Sequence, residues 1–211
     1  MMEFANLSLI YVIGACDSRA ITAVFHADCI TGAPGSGKGS LCAKLATDYG
    51  LHHLSVGDLL RDLAKSGSLH EGAMSNIQRN VLIHTNDLSR ILASAKEDLR
   101  RAGKEKLLVD GVPRNLDQAG PIEEAIGPPD LVLFFDCPGE IAKQRFLTRR
   151  IPGRNDDGPT FDARYRHYVS QNAMIVDHYD SRGLLLKVDT GGDIDSSYAK
   201  LLQGLSLKEQ L

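Results

Sequence analysis

Gly32-Ala33-Pro34-Gly35-Ser36-Gly37-Lys38-Gly39-Ser40 is the stretch that decides how this chain is read. Four glycines frame a single lysine, and a hydroxyl follows two residues later. Glycine lets a backbone turn tightly and aim successive N–H groups inward, where they can cradle phosphate oxygens. Lys38 can reach the outer phosphates from such a loop. Leu41 to Tyr49 reads as a helix, and its positive N-terminal end adds to the anion site. The pattern G-x-x-x-x-G-K-[ST] is not matched strictly, because Gly39 follows the lysine and Ser40 comes one place later.

A strand should run directly into a loop of this kind. The best strand upstream is Leu9-Ile10-Tyr11-Val12-Ile13, a continuous apolar run of the sort buried in parallel sheets. It ends at Gly14-Ala15, well short of Gly32-Ala33. Excising residues 15–32, which number 18, joins Ile13-Gly14 to Ala33-Pro34-Gly35 and restores strand, loop and helix. Residues 15–32 therefore read as an in-frame insertion, such as a retained intron, which sequencing the transcript tests; a genuine surface loop is the alternative. In the chain as it stands, two segments compete for the central strand. Ala27–Thr31 is preferred because it is tethered directly to the loop, although Asp28 would need a buried partner.

The bulk properties set bounds. At 211 residues the chain suits one domain, 1–211, with a substantial core. It is 43% hydrophobic and 24% charged, which is ordinary for a globular protein. A formal net charge of −3 gives no general attraction to nucleic acid. Cys16, Cys29, Cys42 and Cys137 form no C-x-x-C pair, which argues against a zinc site of that pattern. His52-His53 reads as part of a strand edge. The apolar run Leu7–Ala15 lacks a preceding basic residue and is too short to span a bilayer, so neither export nor a membrane association is expected.

Further strands are read at His52–Ser55, Lys106–Asp110, Leu131–Asp136 and Leu184–Val188, alternating with helices. Asp58 is a candidate cap for the helix carrying Arg61, whose pattern continues through Met74, Ile77 and Val81. Leu88–Arg101, Glu140–Arg150, Phe161 to about Ser181 and Ile194–Leu205 are the other long helices, and 151–159 is a loop rich in Gly, Pro, Asn and Asp. The expected fold is an α/β three-layer sandwich around a parallel five-stranded sheet. Arg61, Arg114, Arg145, Arg149, Arg154 and Arg164 fall beside strand ends or the 151–159 loop. Their planar forks suit phosphate.

Gly32–Ser40, His53–Arg61 (HLSVGDLLR), Asp110–Gln118 (DGVPRNLDQ), Leu133–Pro138 (LFFDCP), Gln144–Arg150 (QRFLTRR), Gly153–Asp157 (GRNDD) and Lys187–Asp189 together resemble a nucleoside monophosphate kinase of the adenylate kinase and UMP/CMP kinase family. LFFDCP looks most like the fungal-type uridylate kinases. The resemblance implies ATP-dependent phosphorylation of a nucleoside monophosphate, UMP or CMP, with Mg²⁺ accompanying ATP; AMP is the alternative substrate. Another alternative is a nucleotide-binding protein inactivated by the insertion. By the resemblance Gly35, Ser36, Gly37, Lys38, Gly39 and Ser40 would hold the ATP phosphates, and Arg145 would cover the ATP base. Ser55, Arg61, Gly111 and Arg114 would hold the monophosphate in a lobe of about 55–84, and Gln118 would read its base. Arg149, Arg154 and Arg164 would close from a short lid at about 149–159, serving the transferring phosphoryl group with Lys38 and Arg114. Val112 stands where the family has an aromatic, and Asn80-Val81-Leu82-Ile83-His84 where Gly-Lys-Ile-Val-Pro is usual. A cytoplasmic monomer is implied, with the nucleus as a second location.

Overall fold

The computed structural model describes residues 8–15, 33–78, 82–149 and 156–208. Five parallel strands, β1 (Leu9–Ala15), β2 (His52–Ser55), β3 (Leu107–Asp110), β4 (Leu131–Asp136) and β5 (Leu185–Asp189), stand in the order β2-β3-β1-β4-β5. The helices are α1 (Lys38–Tyr49), α2 (Val56–Lys65), α3 (Glu71–Gln78), α4 (Thr85–Arg101), α5 (Ala119–Ile126), α6 (Gly139–Thr148), α7 (Gly158–Asp180) and α8 (Ile194–Lys208).

The central strand is Leu9–Ala15, which corrects the preference for Ala27–Thr31; that segment lies outside the described residues. The reason is burial on both faces. Ile10, Tyr11 and Val12 each have 0% exposure, and a strand covered on both sides needs an unbroken apolar run. Asp28 in the same slot would lose its hydration. Alternation sends Leu9, Tyr11 and Ile13 into a core with Leu54, Leu107, Val109, Val132 and Phe134, closed by Leu88 and Leu92 of α4, Ile122 of α5 and Tyr179 of α7. Ile10 and Val12 face the other way, with Leu108, Leu133, Phe135 and Val188, against Leu41 and Leu45 of α1 and Leu201 of α8. These are the two outer layers of the sandwich.

Local chemistry sets several boundaries apart from the sequence reading. Helix α1 begins three residues early, at Lys38, because Gly37 takes a left-handed φ of 85° and supplies the turn into it. The cap of α2 is Ser55, whose hydroxyl accepts the Asp58 N–H at 3.4 Å; Asp58 lies in the first turn and pairs with Arg61 instead. The helical pattern from Val56 onward is two helices, α2 and α3, with Gly67 at φ 70° between them. Gly158 and Pro159 belong to α7, not to the preceding loop. Asp157 caps that helix by accepting the Thr160 N–H at 2.8 Å, and proline is favoured in a first turn.

Register places the site. Val12 lies opposite Asp110, Ala15 opposite Asp136, Ser55 opposite Asp110 and Asp136 opposite Asp189. The strands thus end along one edge of the sheet, where open parallel sheets bind ligands. Residues 16–32, between β1 and Ala33, lie outside the described residues. The described chain resumes at Ala33, fully buried.

Candidate active site

The glycine loop sits at that carboxyl edge. Ser36 N–H donates to the Ala33 carbonyl at 3.1 Å, closing the turn. Gly35 has φ 92°, and a Cβ there would stand 2.0 Å from the Ala142 carbonyl oxygen of α6. Only glycine allows this approach. Lys38 occupies the first position of α1 and folds back over its own loop. Its ammonium donates to the Ala33 carbonyl at 3.2 Å and to Ser36 Oγ at 3.0 Å. Burial pushes its pKa below the ordinary lysine value; Asp110 and Cys42 oppose that shift, and Arg149 and Arg114 add to it. Lysine, two arginines and the start of a helix therefore converge on one region. Such a concentration of positive charge is suited to a polyanion.

The second wall is the turn after β3. Arg114 is 6% exposed, and its Nε donates to the Gly111 carbonyl at 2.8 Å. Its backbone N–H donates to Gln118 Oε1 at 2.8 Å, and the Gln118 N–H donates to Asn115 Oδ1 at 3.0 Å. Gln118, 1% exposed, therefore holds the turn that carries Arg114. Val112, fully buried, packs beneath. Arg61 projects from α2, paired with Asp58 and one-third exposed.

The third wall comes from α6 and α7. Arg149 donates from Nε and Nη2 to the two carboxylate oxygens of Asp156, each at 2.8 Å. This is a bidentate, charge-assisted pair. Its guanidinium lies 4.2 Å from the Phe146 ring centroid, and that of Arg164 lies 5.9 Å from the same ring. Phe146 is fully buried and meets Phe161 edge-on at 5.4 Å. An aromatic face thus orients both cations. Arg145 differs from its neighbours. It donates to the carbonyls of Thr190, Gly191 and Gly192 and so clamps the loop after β5. Its hydrogen bonds hold protein.

Lys38, Arg114 and Arg149 are thus brought together, with Arg164 against the same ring as Arg149. Gly32 and Arg154 lie outside the described residues. Three contributors were missed by sequence reading: Asp110, Phe146 and Asp156. Asp110 could have been read from its place at the end of a strand, and Phe146 from lying between Arg145 and Arg149, although α6 ends at Thr148 and Arg149 follows it in extended backbone rather than continuing the helix expected to Arg150. Asp110 Oδ1 is buried without a hydrogen-bond partner, and Ser40 stands exposed in the first turn of α1. A carboxylate and a hydroxyl are the oxygen donors that a hard cation such as Mg²⁺ takes.

A parallel α/β sheet with a phosphate loop at its edge and arginines on two further sides defines a phosphoryl-transfer enzyme that handles two anionic substrates. Residues 30–184 match the family model described as adenylate kinase. Among curated proteins the chain is 38% identical to adenylate kinase isoenzyme 1 of Caenorhabditis elegans, covering 83% of this chain and 85% of that one. It is 36% identical to UMP-CMP kinase 1 of Oryza sativa subsp. japonica (85% and 72%) and 32% identical to the uridylate kinase of Saccharomyces cerevisiae (80% and 85%). The chain belongs to the adenylate kinase family and is a nucleoside monophosphate kinase.

Proposed function

We propose that this enzyme transfers the γ-phosphoryl group of ATP to a pyrimidine nucleoside monophosphate, UMP or CMP, giving ADP and the nucleoside diphosphate. What carries the choice of base is Leu133-Phe134-Phe135-Asp136-Cys137-Pro138, which resembles the fungal-type uridylate kinases. Relatives named as UMP-CMP kinases and a uridylate kinase support the same reading. The hydrogen bond from the Arg114 N–H to Gln118 Oε1 engages the carbonyl of Gln118 and leaves the amide NH₂ to donate to a base acceptor. Uracil O4, cytosine N3 and adenine N1 all offer one, so the assay with several acceptors decides the base.

The residues divide the work by position. Backbone N–H groups of Gly35 to Ser40 cradle the ATP phosphates, and Lys38 exchanges its contacts with Ala33 and Ser36 for phosphate oxygens. Arg61, Arg114 and Ser55 hold the monophosphate, Gln118 meets its base, and Arg145 lies against the ATP base. Arg149, Arg154 and Arg164 neutralise charge on the transferring group and exclude water. Ser40 and Asp110 would hold Mg²⁺ directly or through water, and the ion would supply charge neutralisation on the phosphates. Two anions are brought into line by a cage of cations, so proximity and electrostatics carry the rate rather than a covalent nucleophile. A cytoplasmic monomer, with the nucleus as a second location, completes the reading.

A coupled assay of ADP formation with UMP, CMP, dCMP and AMP tests it. The expected result is kcat/KM for UMP or CMP well above that for AMP. The reverse order makes the enzyme an adenylate kinase. ATP binding with no turnover on any acceptor makes it a nucleotide-binding protein disabled by its insertion. Lys38→Ala should cost about 3–4 kcal/mol in the chemical step, the scale of one lost charge-stabilising group.

A further inference from the structure

Behind the phosphate loop, on the α1 face of the sheet, three side chains from three elements converge. Cys42 lies one turn after Lys38 on α1, His53 on β2 and Asp110 at the end of β3. Strand register explains the meeting: His53 lies opposite Leu108 and Ser55 opposite Asp110, so period-two alternation puts His53 and Asp110 on one face. Leu108 on that face packs against Leu41 and Cys42 of α1. One donor atom of each residue, a sulfur, an imidazole nitrogen and a carboxylate oxygen, lies within 4.8 Å of the other two.

We infer that Cys42, His53 and Asp110 form a second cation site, for a thiophilic divalent ion of the zinc class. Three observations support it. Cys42 is fully buried, with its thiol free. His53 Nε2 stands 3.7 Å from Asp110 Oδ2, too far for a hydrogen bond. His53 Nε2 and Asp110 Oδ1 are both buried without any hydrogen-bond partner, a condition that ordinarily costs stability. A zinc ion binds such donors at about 2.0–2.3 Å. That requires the three atoms to close by roughly 1 Å, a side-chain adjustment. A weak His–Asp ion pair with no ligand is the plain alternative, but at 3.7 Å it leaves the buried His53 Nε2 without a hydrogen bond. The donor set of sulfur, nitrogen and oxygen selects against Mg²⁺, which takes oxygen ligands in octahedral geometry. Sequence spacing could not show the site, since its ligands stand 11 and 57 residues apart (53 − 42 and 110 − 53).

The site has a consequence that rests on the kinase reading above. Asp110 is the carboxylate assigned there to Mg²⁺, so an ion held at Cys42 and His53 would withdraw it and inhibit turnover.

Cobalt(II) is the probe, added to the full chain kept reduced by a phosphine. The expected result is one equivalent bound with a thiolate-to-cobalt charge-transfer band, displaced by Zn²⁺ and retained in excess Mg²⁺. Cys42→Ala should abolish the band. His53→Asn, which keeps the thiol, should weaken affinity by more than the roughly 10–100-fold that loss of an outer-shell partner costs. A band of undiminished intensity in Cys42→Ala, or unchanged affinity in His53→Asn, overturns the site. In a parallel assay Zn²⁺ should inhibit the wild type and spare Cys42→Ala. Full turnover with the site loaded overturns the link through Asp110, whereas the kinase reading stands or falls on turnover without zinc.

Discussion

Gly35→Ala is the sharpest test of how the phosphate loop is held. The added Cβ would lie 2.0 Å from the Ala142 carbonyl oxygen, 2.9 Å from its carbon and 3.0 Å from the Phe146 nitrogen. All three are backbone atoms of α6, so no side-chain rotation relieves the clash. The loop must retreat by roughly 1 Å to reach an ordinary contact distance. The residue also keeps φ near 92°, which costs an L-residue about 1–2 kcal/mol. Overpacking against a fixed neighbour adds about 1–3 kcal/mol. The sum, about 2–5 kcal/mol, lowers Tm by on the order of 10 °C for a domain of this size. Lys38 rides on the same loop, and a displacement of about 1 Å can cost on the order of 10²-fold in rate. Gly39→Ala is the control: a Cβ there meets nothing within 4 Å, and alanine in a helix is favoured over glycine by about 0.5–1 kcal/mol. Thermal melting of both variants, with kcat at saturating ATP for Gly35→Ala, gives the answer. A Gly35→Ala protein with wild-type Tm and kcat would refute the steric argument, as would a Gly39→Ala protein destabilised by a similar amount.

Arg114→Ala should raise the monophosphate KM and lower kcat while ATP affinity, measured by calorimetry, stays within a few-fold; an equal loss for ATP would contradict its place on the acceptor side. Asp156→Asn removes one charge from the bidentate pair with Arg149 and should cost about 1.5–3 kcal/mol, the range for hydrogen bonds to charged groups. An unchanged Tm and kcat would remove that pair from the positioning of Arg149. Burial lowers the Lys38 pKa in the free enzyme, and only the charged form attracts phosphate. ATP affinity should therefore fall as pH rises through that lowered pKa, at a pH below the ordinary lysine value of 10.5. Bound phosphate raises the pKa again, so protons are taken up on binding in that range. A Kd independent of pH up to 10.5 would sink the assignment.

The class of fold was legible in the sequence because it depends on local chemistry. Apolar runs at 107–109 and 131–135 read as buried strands, and glycines around one lysine read as a tight turn suited to an anion. What the sequence left open was the central strand. Proximity in the chain favoured Ala27–Thr31, yet burial on two faces outweighs connectivity, and Leu9–Ala15 takes the slot. Loop closure grows only slowly in cost with length, so a separation of 17 residues (16–32) between Ala15 and Ala33 does not bar Leu9–Ala15 from the central slot.

Residue types likewise announced the site, while their jobs did not. Six arginines looked alike in the sequence. In the fold Arg145 spends its donors on the carbonyls of 190–192, Arg149 is locked by Asp156, and Arg114 is set by Gln118. The Arg145 clamp follows from β4 and β5 ending side by side, whereas Arg149 and Arg114 are fixed by residues only seven and four positions away, whose side-chain directions spacing alone does not give. The Cys42, His53 and Asp110 cluster is the extreme case: no local pattern joins the three, and only the pairing of β2 with β3 beneath α1 brings them within reach of one ion.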